Sequence, residues 1–288
     1  MPTQMPYELD ALAYDGGTIA MVAMDQRESL RTMLAERGRP DGPEAIAGFK
    51  AAVAKHLAPL ASGFLLDDGY DVPVPSGLIL AADRLTQERG GPVTDTHLDE
   101  EVDPQAARSK GAVALKLLVI WRRDDQQRRR LEMAEEFVWR CSEAGLLSVL
   151  EPVVQPAPGE DDFERDTAIV DAAWALGDVR ADLYKAEVPS RGVGDPDAIV
   201  KTCLQLTETL DGPWVVQSEG VAQDDFPGAV ELACRGGASG ILAGRFLWTP
   251  ALAADDPGPV LAGPCRDRLS GIAEIVRRTA RPWTEAVR

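Results

Sequence analysis

Two lysines stand inside segments of the chain that are otherwise apolar. Lys116 lies in ALKLLVIW and Lys185 in ADLYKAEV, and Glu151 lies in a third such segment, LLSVLEPV. Lysine is almost never fully buried unless it is paired, and burial or a neighbouring cation lowers its pKa and makes the amine nucleophilic. A neutral amine attacks a ketone to form a Schiff base, and a nearby carboxylate moves the protons that the loss of water requires. These three residues are therefore catalytic candidates.

The same residues have a second, purely structural interpretation. Each lysine would pair with a carboxylate, such as Asp25 or Glu151, only to neutralise a buried charge. Two buried lysines together with a buried glutamate favour the catalytic interpretation, and the structural one stays open at this point.

Eight short apolar runs predict the strands that position these side chains. The runs are continuous rather than alternating, which is typical of strands buried on both faces of a parallel sheet. Amphipathic segments at 125–145, 197–210 and 226–237 lie between runs and predict helices. We expect an α/β fold, a (β/α)8 TIM barrel, with a doubly wound open sheet as the alternative. The runs cover residues 19–25, 62–68, 77–83, 114–121, 146–153, 181–188, 214–221 and 240–245.

Two local features refine this prediction. The second and third runs are too close together for a helix, so the segment DGYDVPVPS between them is expected to be a loop. No GxGxxG sequence follows the first run, which argues against a dinucleotide-binding sheet.

Polar residues at the ends of the runs are candidates for substrate binding, because the carboxyl ends of the strands form the working face of a barrel. Small residues in GGASGILAGR allow backbone N–H groups to approach a phosphate beside a short helix N-terminus, and Arg245 would add charge-assisted hydrogen bonds. A purely structural glycine turn is the alternative. Arg27 is the candidate for an anion at the opposite end, or else forms a surface ion pair with Glu28. The candidates are Asp25, Gln26, Arg27, Ser218, Gly220, Gly244 and Arg245.

Composition limits the classes of function. The 288 residues carry a net charge of −17, which argues against a nucleic-acid partner, because that would need a basic face. The chain has only two histidines, 41 positions apart at His56 and His97, so a multi-histidine zinc site is not expected. We predict no metal and no cofactor.

The chain is expected to be a cytoplasmic protein that does not associate with a membrane. Its four cysteines have no CxxC spacing, the N-terminus lacks the pattern of a secretory signal, and no apolar stretch reaches 18 residues. We predict buried, reduced cysteines. A single domain is expected over 1–288, with an N-terminal segment 1–18 and a C-terminal helical extension of about 250–288.

Tryptophans bear on self-association. Trp248 and Trp283 are candidates for exposed side chains at an interface between copies, or else pack normally, whereas Trp121 and Trp174 are expected in the core. A homo-oligomer is predicted chiefly from the family resemblance that follows.

Six segments in the same order carry that resemblance: MVAMDQRESLRTML, ALKLLVIWRRDD, LLSVLEPVV, ADLYKAEVP, PWVVQSEGV and GGASGILAGRFLW. They resemble the class I aldolases of the tagatose-1,6-bisphosphate aldolase group and, within it, most of all the sulfofructosephosphate aldolases. The resemblance extends from about residue 18 to residue 249. It implies a (β/α)8 barrel without a metal.

The resemblance also implies roles for individual residues. Lys185 would be the Schiff-base lysine, Glu151 the proton shuttle, and Lys116 a second lysine lining the site. Asp25 and Gln26 match a DQR motif that contacts the hydroxyl and carbonyl region of the substrate. The phosphate-binding end corresponds to Ser218, Gly220, Gly244 and Arg245.

One residue departs from the family pattern. Glu219 stands where the family usually has a small residue, and a carboxylate beside a phosphate would repel it. Either its side chain points away from the site, since neighbours on a strand alternate faces, or the assignment of the phosphate site is in doubt.

The reaction that the family resemblance implies is reversible cleavage of 6-deoxy-6-sulfofructose 1-phosphate into dihydroxyacetone phosphate and 3-sulfolactaldehyde. Cleavage of tagatose 1,6-bisphosphate or a related ketose phosphate is the first alternative. A regulatory barrel that binds a sugar phosphate without turning it over is the second. A metal-dependent aldolase or isomerase is disfavoured by the histidine count.

Overall fold

Eight parallel strands close into a barrel, and a separate hairpin lies beside it. The computed structural model describes residues 8–70, 72–75, 77–88 and 91–286. Within these ranges the strands are β1 (Ile19–Met24), β2 (Phe64–Asp67), β3 (Leu78–Ala81), β4 (Asp83–Gln87), β5 (Val93–Leu98), β6 (Ala112–Trp121), β7 (Leu147–Val154), β8 (Leu183–Ala186), β9 (Trp214–Val216) and β10 (Gly240–Ala243).

Helices occupy most of the connections between the barrel strands. They are α1 (Glu28–Ala35), α2 (Pro43–Leu57), α3 (Pro104–Ser109), α4 (Gln127–Ala144), α5 (Arg165–Gly177), α6 (Pro196–Thr209), α7 (Phe226–Arg235), α8 (Arg245–Trp248), α9 (Pro257–Val260), α10 (Arg266–Thr279) and α11 (Trp283–Ala286). The predicted helices at 125–145, 197–210 and 226–237 correspond to α4, α6 and α7. The first of them ends where predicted, because Gly145 adopts a left-handed φ of 66°.

The strand order confirms the (β/α)8 barrel. Around the barrel the strands follow the order β1, β2, β3, β6, β7, β8, β9 and β10, and β10 pairs in parallel with β1. All eight predicted runs form these strands, and the open sheet is wrong. The described residues between β2 and β3 form a loop without a helix, as the short spacing predicted.

Side chains of the strands alternate between the barrel interior and the layer of helices. On β1, Met21 and Ala23 belong to an interior apolar cluster, whereas Val22 and Met24 pack with residues of the outer helices. This alternation explains the continuous apolar runs, because both faces of each strand are covered.

The antiparallel hairpin of β4 and β5 follows β3 and was not predicted. Asp83 pairs with Leu98 and Arg84 with His97 in its register. The burial of β4 alternates along the strand, which is typical of a strand covered on one face. The alternation in this segment is the signal that would have revealed the hairpin.

The tryptophans differ in part from the expectation. Trp121 is buried, but Trp174 on α5 is 76% exposed, so its prediction as a core residue is wrong. Trp248 is fully buried and donates a hydrogen bond from Nε1 to the carbonyl oxygen of Ala23 at 2.9 Å. It is therefore not a candidate for an interface, and Trp283 is half-buried.

The ends of the chain flank the barrel. After β10, the helices α8 to α11 follow, and α10 packs against α7 and β1. Residues 1–7 of the predicted N-terminal segment and 287–288 of the predicted extension lie outside the described residues. Among the helices described, none is long and apolar enough to cross a membrane.

A buried ion pair joins α2 to the end of β2. Lys50 is fully buried, and its Nζ contacts a carboxylate oxygen of Asp67 and lies 4.5 Å from the ring centre of Tyr70. Burial lowers the pKa of Lys50 and raises the pKa of Asp67. Each charge therefore depends on the other, since an unpaired buried charge is costly.

Replacing Lys50 with Met is expected to lower the free energy of unfolding by about 3 kcal/mol, because Asp67 loses its buried partner. Urea unfolding measures the loss. Lys55→Met, at an exposed position of the same helix, is the matched control and should stay close to wild type. The double change Lys50→Met with Asp67→Leu should recover most of the loss. Equal effects of the two single lysine changes would contradict the assignment.

Candidate active site

Three charged side chains point into the barrel from adjacent strands. The residues two positions before Lys116, Glu151 and Lys185 on β6, β7 and β8 belong to the interior apolar cluster. Because side chains alternate along a strand, the three charged residues share that inward direction. They are 1%, 4% and 4% exposed, so the barrel interior changes from apolar to charged toward the carboxyl ends of these strands.

Lys116 is surrounded by three carboxylates. Its Nζ lies 2.7 Å from Asp25 Oδ2, 2.8 Å from Asp83 Oδ2 and 3.2 Å from Glu151 Oε2. Burial opposes the charge on this lysine, but the three carboxylates outweigh burial and hold its pKa well above the ordinary value. Lys116 therefore stays an ammonium ion and is a poor nucleophile.

Lys185 has a different environment. Its Nζ lies 2.6 Å from Glu151 Oε1, and this is the one ion pair recorded for it within the described chain. Glu151 thus bridges the two lysines, with one carboxylate oxygen on each. A carboxylate held between a permanent cation and a second amine is placed to exchange a proton with that amine.

Asp25 follows β1 and completes the charged cluster. Burial alone would raise its pKa, but Lys116, Lys185 and Arg27 outweigh burial and hold the pKa of this carboxyl well below its usual range. Asp25 is therefore ionised at any pH at which the protein is expected to work.

Asp83 is a site residue that the sequence reasoning missed. It begins β4, separated from β3 by one residue, and is 1% exposed. Its Oδ2 accepts hydrogen bonds from Lys116 Nζ at 2.8 Å and from the backbone N–H of Leu118 at 3.0 Å. The available signal was its position, because Asp83 ends the third apolar run as Asp25 ends the first.

Arg27 contacts the carboxylates of Asp67 and Asp83. Its Nη1 donates to the carbonyl oxygen of Asp83 at 2.7 Å, its Nη2 lies 3.4 Å from Asp83 Oδ1, and its Nε lies 3.8 Å from Asp67 Oδ2. The side chain is 32% exposed. Arg27 therefore reaches the cavity with its charge already compensated.

A cavity of about 290 Å³ opens above this cluster and brings most of the predicted residues together. The hairpin of β4 and β5 forms part of its wall through Leu85, Gln87 and Val93. Gln155 Nε2 donates to the carbonyl oxygen of Val93 at 2.8 Å and thereby ties the hairpin to the end of β7. The predicted residues that line the cavity are Asp25, Gln26, Arg27, Lys116, Glu151, Lys185, Ser218, Gly244 and Arg245.

The two glycines predicted at the phosphate-binding end, Gly220 and Gly244, differ in their position relative to the cavity. Gly220 is not among the lining residues, and it occupies a turn with a φ of 74°. Gly244 lines the cavity where the end of β10 meets the end of β1. A Cβ at Gly244 would lie 2.6 Å from the carbonyl oxygen of Ala23 and 3.0 Å from Gln26 Nε2, so only glycine fits this approach.

Glu219 lies in the site rather than away from it. It lines the cavity, and its Oε1 is 3.1 Å from Arg245 Nη2. The alternative in which its side chain points away is therefore wrong. The arginine predicted to bind phosphate already has a carboxylate partner.

The acidic residues of the cluster are occupied by lysines rather than arranged for a metal. In the part of the chain that the structure describes, no group of three or more His, Cys, Asp or Glu side chains has a geometry that could hold a metal ion. The four cysteines are free thiols, all of them buried.

Solved structures of aldolases are among those with a similar fold. A fructose-1,6-bisphosphate aldolase described as forming a Schiff base has a TM-score of 0.63 at 19% identity, over 93% of this chain and 98% of its own. The fructose-bisphosphate aldolase of Plasmodium falciparum has a TM-score of 0.69 at 12% identity, over 97% and 98% of the two chains. At these identities the likeness establishes the barrel fold alone.

Sequence relatives narrow the class. The family model of the DeoC/LacD family aldolases matches residues 19–249, and the chain belongs to this family. Tagatose 1,6-diphosphate aldolase 2 of Enterococcus faecalis is 24% identical, with 96% of this chain and 94% of the relative covered. Tagatose 1,6-diphosphate aldolase of Listeria monocytogenes is also 24% identical, over 85% of this chain and 81% of the relative.

The low pKa of Asp25 predicts a specific dependence of stability on pH. A carboxyl whose pKa is lower in the folded than in the unfolded state, where it is about 3.9, stabilises the fold above that value and loses the effect as the pH falls. Wild type should be more stable than Asp25→Asn at pH 6, and the difference should shrink by roughly 1 kcal/mol per pH unit below pH 4.

Urea unfolding at a series of pH values measures this difference. Asp15→Asn changes an exposed carboxyl and should show no such convergence. A difference between wild type and Asp25→Asn that stays constant with pH would contradict the ionised, paired state of Asp25.

Proposed function

We propose that the protein is a class I aldolase in which Lys185 forms a Schiff base with a ketose 1-phosphate and cleaves its C3–C4 bond. The observation that carries the proposal is the bridge of Glu151 between Lys185 at 2.6 Å and Lys116 at 3.2 Å, at the floor of the cavity. This arrangement supplies an amine, a proton acceptor beside it and a fixed cation on the far side of the acceptor.

The first half of the reaction forms the iminium ion. Lys185 transfers a proton to Glu151, and the neutral amine attacks C2 of the open-chain ketose to give a carbinolamine. Glu151 then returns the proton to the carbinolamine hydroxyl, which leaves as water. The positively charged iminium carbon is the acceptor for the electrons of the next step.

The second half breaks the carbon–carbon bond. Glu151 takes the proton of the C4 hydroxyl, C4 becomes an aldehyde carbon, and the C3–C4 electron pair moves to the iminium to give an enamine. Protonation at C3 and addition of water then release dihydroxyacetone phosphate and free Lys185. Glu151 accepts and donates a proton in turn, so each step balances.

Lys116 and Asp25 have supporting roles in this proposal. Lys116 remains an ammonium ion, and it is proposed to hold Glu151 in place beside Lys185 and to contact oxygens of the substrate. Asp25 and Gln26 are proposed to contact the hydroxyl groups of the substrate, because both line the cavity beside Lys116.

The phosphate on C1 is proposed to lie at the end of the cavity lined by Ser218, Gly244 and Arg245. Gly220 would act through its turn rather than through direct contact. The Arg245 guanidinium is positioned to donate to phosphate oxygens once Glu219 leaves it.

The opposite end of the cavity favours a weakly charged group. Arg27 is compensated by Asp67 and Asp83, and Gln87 and Gln155 offer neutral amides nearby. A phosphate monoester carries close to two negative charges at neutral pH, whereas a sulfonate carries one. We therefore propose 6-deoxy-6-sulfofructose 1-phosphate as the substrate and 3-sulfolactaldehyde as the second product.

Tagatose 1,6-bisphosphate is the second candidate substrate, because the sequence relatives bear the name of that activity. A barrel that binds a sugar phosphate without cleaving it is the alternative from another class. A cytoplasmic location and a homo-oligomeric state stay predictions. The buried, free thiols are consistent with the first, and the exposed Trp139 and Trp174 with the second.

Borohydride reduction in the presence of dihydroxyacetone phosphate is expected to trap a covalent adduct on Lys185, because the reagent reduces an iminium to a stable amine. Peptide mass mapping locates the adduct. Lys185→Met should abolish it, and the exposed Lys201→Met should leave it unchanged. An adduct on Lys116, or none, would overturn the proposal, and trapping without release of dihydroxyacetone phosphate from any ketose phosphate would favour the non-catalytic barrel.

A comparison of two substrates tests which anionic group is accepted at the end of the cavity near Arg27. We expect kcat/KM for 6-deoxy-6-sulfofructose 1-phosphate to exceed that for tagatose 1,6-bisphosphate by about 100-fold, the effect of one misplaced charge of roughly 3 kcal/mol. Release of dihydroxyacetone phosphate is measured for both substrates. Equal rates would defeat the assignment to the sulfonated ketose and leave the Schiff-base proposal intact.

A further inference from the structure

The ion pair between Glu219 and Arg245 lies at the entrance to the cavity. The distance from Glu219 Oε1 to Arg245 Nη2 is 3.1 Å, and the two side chains are 50% and 40% exposed. Both residues line the cavity that also contains Lys185. The Glu219 carboxylate is therefore paired with the Arg245 guanidinium group, which also faces the cavity space available to a ligand.

The charged groups near this pair include Glu187 and two arginines, Arg165 and Arg191. Glu187, which interacts electrostatically with Glu219, is buried and accepts from Arg165 Nη1 at 2.6 Å. The charge of Arg165 is therefore committed to Glu187. Arg191 lies beside Gly220, with its Nε 3.2 Å from the position of a Cβ on that glycine.

An anionic ligand at Arg245 must first displace Glu219. Because an exposed ion pair is weak, the displacement is feasible, and the half-exposed carboxylate has room to turn toward solvent. The Glu219 carboxylate stays on the loop that follows β9, however, and continues to repel a bound anion. The repulsion increases with the charge of the ligand.

We propose that Glu219 is a specificity-determining residue that competes with the phosphate of the substrate for Arg245. Given the proposed function, it weakens the binding of the C1 phosphate in substrate and product alike. Because substrate and transition state lose the same interaction, KM rises while kcat is unchanged. Groups with two negative charges are penalised more than groups with one.

Binding of two simple anions tests the competition without any turnover. The probes are methyl phosphate at pH 8, mostly a dianion, and methanesulfonate, a monoanion. Glu219→Gln is expected to lower the dissociation constant of methyl phosphate about tenfold and that of methanesulfonate only about threefold. Isothermal titration calorimetry measures both constants. Glu219→Ala should likewise lower the dissociation constant of methyl phosphate more than that of methanesulfonate.

Glu231→Gln is the matched control. Glu231 forms a comparable exposed pair with Arg278 at 3.6 Å on α7 and α10, and its removal should change neither constant. Weaker binding of methyl phosphate to the Glu219 variants, or equal changes for both anions, would overturn the proposal.

Kinetics with the ketose phosphate substrate separate this inference from the proposed function. Glu219→Gln should lower KM about tenfold with kcat unchanged, whereas loss of kcat would contradict a role limited to competition. If no adduct is trapped on Lys185 of the wild type, the proposed function fails, and the binding of methyl phosphate still decides the role of Glu219.

Discussion

The ion pairs between Lys116 and three carboxylates are the interactions on which the rest of the site depends. Its three carboxylate partners come from different parts of the barrel: Asp25 follows β1, Asp83 follows β3 and Glu151 lies within β7. Only a closed barrel in the correct register brings them to one ammonium group. Conversely, three carboxylates this close would repel one another strongly without the lysine. The fold and the site therefore stabilise each other.

From Lys116 outward, positively and negatively charged side chains alternate toward the layer of helices. Asp83 contacts Arg27, Arg27 contacts Asp67, and Asp67 contacts Lys50 on α2. In the other direction Glu151 contacts Lys185. Each charge is held by neighbours on different elements, so the positions of these side chains are fixed before a ligand arrives. In the proposed reaction, this preorganisation reduces the reorganisation required of the site.

The sequence predicts the barrel and its central residues because both follow from short-range patterns. Continuous apolar runs indicate strands covered on both faces, and a lysine within such a run has few explanations. Asp83 was missed because its function depends on Lys116, 33 positions away, and no local pattern reports that contact. Trp174 was misassigned because its large apolar side chain favours the core by composition alone, whereas its position on α5 faces outward. The direction of Glu219 could not be predicted, since it lies beyond the end of β9, where strand alternation no longer applies.

The hairpin of β4 and β5 has a consequence for how this barrel can change over evolution. Its first residue, Asp83, contacts Lys116, whereas Leu85, Gln87 and Val93 further along line the cavity. The residue that contacts Lys116 and the residues that line the cavity are thus separate parts of one hairpin. Substitutions at Leu85, Gln87 and Val93 would alter the cavity wall without removing the contacts of Lys116. For the proposed aldolase, the outer residues of the hairpin are therefore the place where acceptor specificity would change without loss of the charged cluster.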